Sequence, residues 1–250
     1  MKNIKYKSST FLNYYSKKRM TWEEYYESEK VILDRIIKKA KDGIDIMDVG
    51  CGCGGLGKAL SETFDNINSY VGIDYSDKEI EYAKKYNKLN IPYEYRCDDA
   101  ATFSDEKRYD IVVSFSCIDF NIEVYEMLKN CWDKVKPGGY LVTSIRLTEK
   151  ESINDISRAY QLLSDTKETC NYVVFNLNDF LKEVMKLKNN PADEIQAYGY
   201  WHSPASGTVC EYSQLCMSVF AIRKAYDAQI KKPALVKLEL PCDLFVKENI

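Results

Sequence analysis

The chain has 250 residues, 45% of them hydrophobic and 29% charged, which is typical of a globular protein with a substantial core and excludes collagen-like and disordered classes. Lys and Arg total 35 against 38 Asp and Glu, so the net charge of −3 creates no positive field that would attract nucleic acid. No apolar run approaches the roughly 18 residues of a membrane span and no signal-type apolar core opens the chain, so we expect a cytoplasmic protein without a membrane partner.

Cysteine and histidine usage bears on metal and redox chemistry. The nine cysteines are odd in number and scattered, with no CxxC pair, so we expect reduced thiols rather than a disulfide framework. With a single histidine, His202, and no thiol pair at zinc spacing, no structural zinc site is expected, whereas a carboxylate-bound Mg²⁺ stays open.

The N-terminal segment predicts a helix with aromatic residues around its start. Thr21 and Glu24 form a capping box, and the apolar spacing over 32–40 predicts a helix of about twenty residues that runs to Gly43. The aromatic residues of the segment are Tyr14, Tyr15, Trp22, Tyr25 and Tyr26. They either fold over a ligand as a lid or pack as ordinary core and surface, so residues 1–43 are interpreted as a helical cap.

Short apolar runs then alternate with helical patterns. The predicted strands are Ile44–Val49, Ser69–Asp74, Tyr93–Cys97, Asp110–Phe115 and Gly139–Leu147. The helices between them include one over 55–64, one capped by a Ser76 and Glu79 box, and one over Val124–Val135. Strands that alternate with helices predict an α/β fold in which a parallel sheet carries helices on both faces.

The rhythm breaks after the fifth strand. Residues 148–176 are interpreted as an insertion with a polar helix and a short extended piece, followed by a helix that Asn178 caps. Two more strands, Glu194–Trp201 and Leu215–Arg223, complete a domain over 44–225. The tail over 226–250 contains the alternating run LVKLEL, which either pairs with a second chain in a homodimer or folds back on its own sheet.

The strongest signal is the glycine-rich segment that follows the first strand. Gly50, Gly52, Gly54, Gly55 and Gly57 let the backbone pass close to a ligand before a helix N-terminus. By itself such a turn is weak evidence, because tight glycine turns occur in many α/β proteins. Its companions on the neighbouring strands raise the specificity.

Carboxylates at the strand ends define the ligand. Asp74 ends the second strand, where a carboxylate accepts hydrogen bonds from both hydroxyls of a ribose, and this suits either NAD or an adenosyl cofactor. Asp48, two residues before the first glycine, would repel a pyrophosphate but suits a ligand that carries an ammonium and a sulfonium. The charge of Asp48 therefore argues against NAD.

These motifs, in this order, resemble those of the class I S-adenosylmethionine-dependent methyltransferases. DVGCGCG is similar to the acidic and glycine-rich motif of that family, GIDYS to its ribose motif, CDDAATF to its adenine motif and VKPGGYLV to the turn before its fifth strand. The resemblance covers about Ile44 to Leu147. It implies S-adenosyl-L-methionine as cofactor, S-adenosyl-L-homocysteine as product, and a Rossmann-like doubly wound sheet of seven mostly parallel strands whose last strand is antiparallel.

The resemblance also implies which residues hold the cofactor. They are Asp48, Gly50, Cys51, Gly52, Asp74, Tyr75, Asp98, Asp99, Ala100, Ser114, Phe115 and Ser116. Cys53 departs from the family pattern, in which many members have another small residue. Asp98 precedes Asp99, so the sequence leaves open which of the two meets the adenine.

The acceptor side is expected at the carboxyl ends of the strands. A hydroxyl acceptor needs a general base, and the candidates are Asp119 after the fourth strand and His202 after the sixth. Arg146 is the candidate anchor for an anionic group such as a phosphate. Tyr160, Tyr200 and Trp201 are the candidate substrate-binding aromatics.

The stretches RLTEKESINDISRAYQ, YVVFN and YGYW are loosely similar to small bacterial methyltransferases of surface-polysaccharide gene clusters (capsule or lipopolysaccharide). This similarity implies O-methylation of a small molecule, a sugar or nucleotide-linked sugar. The alternatives are an N-methyltransferase of an amino sugar or metabolite, and a non-catalytic protein that binds S-adenosylmethionine. A dehydrogenase is opposed by Asp48.

Overall fold

Helices and strands alternate along the chain as the apolar periodicity predicts. The computed structural model describes residues 9–163, 167, 169–188, 190–227 and 234–245. The α-helices of these residues are α1 (Ser9–Tyr15), α2 (Glu27–Lys39), α3 (Gly55–Thr63), α4 (Asp77–Tyr86), α5 (Val124–Asp133) and α6 (Leu177–Met185). Short 3-10 helices lie at Trp22–Glu24, Ile118–Phe120 and Cys242–Phe245. None of the helices described is long and apolar enough to cross a membrane.

The strands form one large and one small sheet. They are β1 (Ile44–Val49), β2 (Ile67–Asp74), β3 (Tyr93–Cys97), β4 (Tyr109–Ser114), β5 (Val135–Thr148), β6 (Ala159–Leu162), β7 (Thr169–Asn171), β8 (Phe175–Asn176), β9 (Ala192–His202), β10 (Thr208–Cys210), β11 (Leu215–Lys224) and β12 (Leu235–Glu239). The large sheet has the order β12-β9-β11-β5-β4-β1-β2-β3, and β8 pairs with the end of β5. The small sheet has the order β10-β6-β7.

The large sheet confirms the predicted Rossmann-like fold. Strands β1 to β5 run parallel to one another, and β11 runs antiparallel to both β5 and β9, as expected of the seventh strand. The tail adds one strand beyond the seven, because β12 pairs parallel to β9 at the sheet edge. The run LVKLEL therefore folds back on its own sheet.

Hydrophobic cores on both faces of the large sheet show why it is doubly wound. Successive side chains of a strand point to opposite faces. Thus Ile46 of β1 packs in a core with α2, α3 and α4, and Met47 packs in the core with α5 and α6. Both side chains are fully buried. Parallel strands covered on both sides in this way place their carboxyl ends at one open edge.

The N-terminal prediction was wrong in one respect, because two helices replace the single long one. The carboxylate of Glu24 accepts hydrogen bonds from the backbone N–H groups of Met20 and Thr21, at 2.8 and 3.3 Å, but the helix it caps ends at once. Tyr26 begins the next helix, and its backbone N–H donates to the carboxylate of Glu29 at 2.9 Å. A second capping interaction thus starts α2 where the sequence pattern suggested continuity.

The secondary structure predicted for the insertion over 148–176 was also wrong. In place of the expected polar helix, β6 pairs antiparallel with β7 and with β10, which comes from the loop between β9 and β11. Ile153, Tyr172, Val174 and Leu215 are buried in a small core beneath this sheet. Asn176, rather than Asn178, caps α6, and its side chain accepts from the N–H of Asn178 at 3.0 Å. Contacts between distant segments outweigh local propensity here.

Candidate active site

A cavity of about 730 Å³ opens at the carboxyl ends of β1, β2 and β4. Parallel pairing sets its position, since Asp48 of β1 lies opposite Gly72 of β2 and Val113 of β4. The strand ends therefore bring together most of the residues predicted to hold the cofactor. Those that line the cavity are Asp48, Gly50, Cys51, Gly52, Asp74, Tyr75, Asp98, Asp99, Ala100, Phe115 and Ser116.

The glycine turn forms one wall of the cavity because only small residues fit its backbone. Gly50, Gly52 and Gly54 have φ values of 85°, 51° and 80°, in the left-handed region that favours glycine. A Cβ at Gly50 would lie 2.6 Å from the Cβ and Sγ of Cys117. The N–H groups of Gly50 and Cys51 donate to the carbonyl of Ile73, at 2.8 and 3.0 Å, and hold the turn against β2.

Asp48 is a buried carboxylate at the base of the cavity. Only 3% of the residue is exposed, and the hydroxyl of Tyr70 donates to its Oδ2 at 2.6 Å. Burial raises the pKa of Asp48 to about 7, although the Tyr70 hydrogen bond opposes the shift. A cationic ligand in the cavity would favour the charged form of this group.

Asp74 is held by the backbone at the end of β2. Its Oδ2 accepts from the N–H of Gly52 at 3.0 Å, and its Oδ1 accepts from the N–H of Ser76 at 2.9 Å. Burial raises the pKa of Asp74, and these hydrogen bonds oppose the shift. The same carboxylate thus fixes the glycine turn and lies in the cavity wall, where it can accept further hydrogen bonds from a diol.

The cavity wall formed by the loop after β3 includes both Asp98 and Asp99, and which of them meets an adenine stays a prediction. The Oδ1 of Asp99 accepts from the N–H of Ala101 at 3.0 Å, so this residue shapes the loop after β3. Asp98 lies at the cavity wall with its Oδ2 3.6 Å from the Nε of Arg96. Asp99 is the more fixed of the two, since its carboxylate is bound within its own turn.

Ser114 was wrongly placed by sequence reasoning, whereas its neighbour Ser116 lines the cavity. Ser114 is fully buried and its hydroxyl donates to the carbonyl of Val49 at 2.9 Å, so it joins β4 to β1 beneath the site. Ser116 has a φ of 49° and its N–H donates to the Oγ of Ser144 at 2.7 Å. This left-handed residue turns the chain outward after β4.

The N-terminal segment forms another wall of the cavity. Tyr15, Lys18, Arg19 and Tyr25 line it. The hydroxyl of Tyr25 donates to the carbonyl of Arg19 at 3.0 Å, and the guanidinium of Arg19 pairs with Glu29 at 2.8 Å. Of the aromatic residues of this segment, Tyr15 and Tyr25 therefore contribute to the cavity wall, whereas Trp22 packs against Phe64, and the lid stays a prediction.

Sequence reasoning missed several residues of the cavity, above all a third buried carboxylate. Glu79 was assigned to a capping box with Ser76, and the Oγ of Ser76 does accept from its N–H at 3.4 Å. The carboxylate of Glu79, however, lines the cavity. Other lining residues without an earlier assignment are Lys18, Arg19, Cys53, Cys117, Phe120, Asn121 and Glu123. No group of three metal-binding side chains occurs in the part of the chain that the structure describes.

Asp119 and Arg146 are paired with each other beside the cavity. The Nη1 of Arg146 lies 3.2 Å from the Oδ2 of Asp119, and both side chains are buried. Arg146 also donates from Nε to the carbonyl of Val173 at 3.1 Å and from Nη2 to the carbonyl of Asp119. Its guanidinium stacks 3.5 Å from the ring centre of Tyr172. The prediction of a free anion anchor at Arg146 was wrong, because its donors are already engaged.

Asp119 retains one unused acceptor. It lines a pocket of about 30 Å³ that shares Ser116 with the larger cavity. Its Oδ1 has no hydrogen-bond partner among the described residues. Burial raises the pKa of Asp119 and the charge of Arg146 opposes the shift.

The remaining predicted acceptor residues lie away from both pockets. His202 is exposed, and its Nδ1 lies 2.7 Å from the carbonyl of Ser203. Tyr200 and Trp201 are partly buried on β9, and Tyr160 pairs with Asn171 and Val209 in the small sheet. Strand β9 is separated from β5 by β11, so its end does not reach the cavity.

Comparison with known proteins agrees with this geometry. A family model described as a methyltransferase domain matches residues 46–139. The ubiquinone biosynthesis O-methyltransferase of Bradyrhizobium diazoefficiens is 31% identical over 103 residues, which cover 41% of this chain and 40% of that protein. The corresponding protein of Coxiella burnetii is 34% identical over 119 residues, which cover 46% and 47%. The chain thus spans less than half the length of the curated relatives it matches.

Similarity in structure extends further along the chain. An S-adenosylmethionine-dependent methyltransferase from Clostridium acetobutylicum has a TM-score of 0.53 at 12% identity, and covers 86% of this chain and 98% of its own. Residues 46–139 therefore resemble a methyltransferase domain, and the chain shares its fold with a solved S-adenosylmethionine-dependent methyltransferase. These similarities agree with the predicted class of enzyme and with its predicted cofactor.

Proposed function

We propose that this protein transfers a methyl group from S-adenosylmethionine to a hydroxyl oxygen of a small molecule. The observation that carries the proposal is the pair of buried carboxylates, Asp48 and Asp74, on either side of a left-handed glycine turn in one cavity. A cationic adenosyl ligand fits both carboxylates. The hydroxyls of its ribose can donate hydrogen bonds to one of them, and its positive groups can compensate the charge of the other.

Each part of the cofactor has a candidate partner in the cavity. We assign the ribose hydroxyls to Asp74, the methionine part to Asp48 and the turn over 50–52, and the adenine to Tyr75 and the loop over 98–100. A volume of about 730 Å³ lies within the range of about 300–1,000 Å³ typical of sites for small molecules and cofactors.

The protein contributes mainly orientation and exclusion of water to a methyl transfer. The cofactor supplies an electrophilic methyl group, and the acceptor oxygen must lie in line with the breaking bond. Tyr15, Arg19 and Tyr25 close the cavity on the N-terminal side, and Phe120 and Met127 line it near α5. Such walls hold the two reactants together and keep water from competing.

A hydroxyl acceptor must also lose its proton. Of the two predicted bases, Asp119 is the better placed, because its unused Oδ1 lies in a pocket that adjoins the cofactor cavity at Ser116. His202 lies on the exposed end of β9, outside the lining of both pockets. A positioned base contributes about 10²- to 10⁴-fold to such reactions.

The curated relatives, both ubiquinone biosynthesis O-methyltransferases, support an oxygen acceptor. They do not support the sugar or nucleotide-linked sugar suggested by the C-terminal half of the sequence, so that acceptor stays a prediction. A cytoplasmic location and a homodimer likewise stay predictions.

The first experiment is calorimetry of S-adenosylmethionine, S-adenosylhomocysteine and NAD with the wild type and the Asp74→Asn variant. We expect the two adenosyl ligands to bind the wild type and to bind the variant at least about tenfold more weakly, because a charge-assisted hydrogen bond is worth about 1.5–3 kcal/mol. Asp77→Asn, at an exposed position of α4, is the matched control. Binding of NAD in place of the adenosyl ligands would overturn the proposal.

Transfer itself is tested with labelled S-adenosylmethionine against two panels of acceptors, catechols and nucleotide sugars. Label in an ether product of either panel supports O-methylation and selects the acceptor class. Label only in amine-bearing members would show that the nitrogen alternative is correct.

A further inference from the structure

The carboxylate of Glu79 lines the cofactor cavity and has no partner among the residues that the structure describes. The residue is 7% exposed, and within the described part of the chain its carboxylate has no hydrogen bond or ion pair. A charged group removed from water in this way loses free energy unless a countercharge compensates it. The described residues supply no ion-pair partner for Glu79, so the group either holds a proton or is compensated by a cationic ligand.

The position of Glu79 in α4 does not explain its burial. Acidic residues in the first turn of a helix interact favourably with the helix dipole, and Asp77 and Glu79 are both in that turn. Asp77 obtains this benefit while it stays exposed. Burial of Glu79 adds nothing to the dipole interaction and only removes its hydration.

Gly52 joins Glu79 to the machinery already assigned to the cofactor. The N–H of Gly52 donates to the Oδ2 of Asp74 at 3.0 Å. A Cβ built on the same glycine would lie 3.8 Å from the Oε2 of Glu79, in ordinary van der Waals contact. The carboxylates of Asp74 and Glu79 therefore both lie next to Gly52, and Asp48 is the third buried carboxylate that lines the same cavity.

We infer that Glu79 is a specificity-determining residue that makes the cavity prefer the positively charged cofactor over its neutral product. This inference rests on the proposed function. S-adenosylmethionine carries a sulfonium and an ammonium against one carboxylate, whereas S-adenosylhomocysteine has lost the sulfonium charge. Three buried carboxylic groups in one cavity stabilise the first ligand more than the second, and weaker binding of the product favours its release.

Proton exchange accompanies this selection. Burial, with a contribution from Asp74, raises the pKa of Glu79 to about 8, so the empty cavity holds the carboxyl group largely protonated at neutral pH. When the cationic cofactor binds, the carboxylic acid proton leaves for the solvent and the carboxylate remains. The neutral product stabilises the charged carboxylate less, so its binding should release fewer protons.

Other charged and titratable groups line the same cavity as Glu79. They are Tyr15 of α1, Lys18, Arg19 and Tyr25 of the N-terminal segment, Asp48 of β1, Cys51 and Cys53 of the glycine turn, Asp74 of β2, Tyr75 after it, Asp98 and Asp99 after β3, and Cys117 and Glu123 after β4. The two cations, Lys18 and Arg19, both belong to the N-terminal segment. The thiols are held protonated because burial raises the pKa of each.

The test is calorimetry of S-adenosylmethionine and S-adenosylhomocysteine with the wild type, Glu79→Gln and Glu81→Gln. Glu81 is an exposed residue of the same helix and serves as the matched control. We expect the ratio of the two affinities to fall at least about fivefold in Glu79→Gln and to stay unchanged in Glu81→Gln, since one pKa unit of differential interaction is about tenfold. Titration at pH 7 in phosphate and in Tris, which differ in ionisation enthalpy, should show proton release by the wild type that is reduced in Glu79→Gln.

The pH profile of the wild type provides a second measurement that needs no variant. The preference for the charged cofactor should increase from pH 6 to 8.5 as the carboxyl group ionises. An unchanged affinity ratio in Glu79→Gln, or a wild-type ratio independent of pH, would overturn the inference while leaving the proposed function intact. If the wild type binds neither adenosyl ligand, the proposed function itself fails.

Discussion

The buried pair of Asp119 and Arg146 leads to a prediction about stability. Replacement of Arg146 by Met keeps most of the side-chain volume but removes the ion pair at 3.2 Å and the hydrogen bonds to Val173 and Asp119. Asp119, 2% exposed, is then left without its countercharge. Removal of one partner from a buried pair costs about 3–5 kcal/mol. For a protein of this size each kcal/mol shifts Tm by about 2–4 °C, so we expect a decrease in Tm of about 6–20 °C.

A double-mutant cycle separates the pair from its surroundings. Urea unfolding of Arg146→Met, Asp119→Asn and the double variant should show that the double variant loses less than the sum of the singles, by about 1 kcal/mol or more. Arg158→Met is the control, because Arg158 pairs with Glu151 and Glu211 at the surface and its loss should change stability little. A loss under about 1 kcal/mol for Arg146→Met, or additive single effects, would refute the reasoning.

Two more predictions concern the cofactor cavity. Gly50→Ala places a Cβ 2.6 Å from Cys117 at a φ of 85°, so the affinity for S-adenosylmethionine measured by calorimetry should fall at least about tenfold. Gly207→Ala is the control, because Gly207 has a similar φ of 81° but lies next to the small sheet, and the affinity of this variant should be unchanged. Equal affinities in the two variants would contradict the role given to the turn.

Burial raises the pKa of Asp48 to about 7 and that of Glu79 to about 8, so the folded state holds more protons than the unfolded state between about pH 4 and 8. The free energy of unfolding of the ligand-free protein, measured by chemical denaturation, should therefore fall as pH rises through this window. If the dependence of this free energy on pH is as steep in Glu79→Gln as in the wild type, Glu79 does not cause the trend.

The cofactor half of the fold follows closely from the sequence because its signals are local. The bounds of β1 and β3 agree with the predicted strands, and the glycine turn directly follows β1. A strand end and the turn after it are adjacent in sequence, so the position of Asp48 and Asp74 in one cavity could be predicted from parallel pairing alone. The lining of the cavity by eleven of the twelve predicted cofactor residues reflects this.

The acceptor half could not be predicted in the same way because its contacts join distant segments. Asp119 and Arg146 are each plausible functional residues in the sequence, and nothing local reveals that the two side chains neutralise each other. Glu79 illustrates a different limit. Its spacing from Ser76 fits a capping box, but the same position in the first turn of α4 also faces the cavity, and the sequence pattern does not distinguish the two orientations.

The order of strands in the sheet also bears on how the chain folds. Strands β1, β2 and β3, which carry Asp48 and Asp74, follow one another along the chain and pair over short stretches of it, as in Ile44 with Ile67 and Tyr70 with Tyr93. Strand β5, by contrast, pairs with β11, as in the contact of Leu147 with Cys216, after the whole insertion has intervened. Closure of a longer loop costs more entropy and slows folding. The part of the sheet over β1 to β3 is therefore expected to assemble before β5 pairs with β11, and bound cofactor would then stabilise the surface on which the rest of the chain completes its folding.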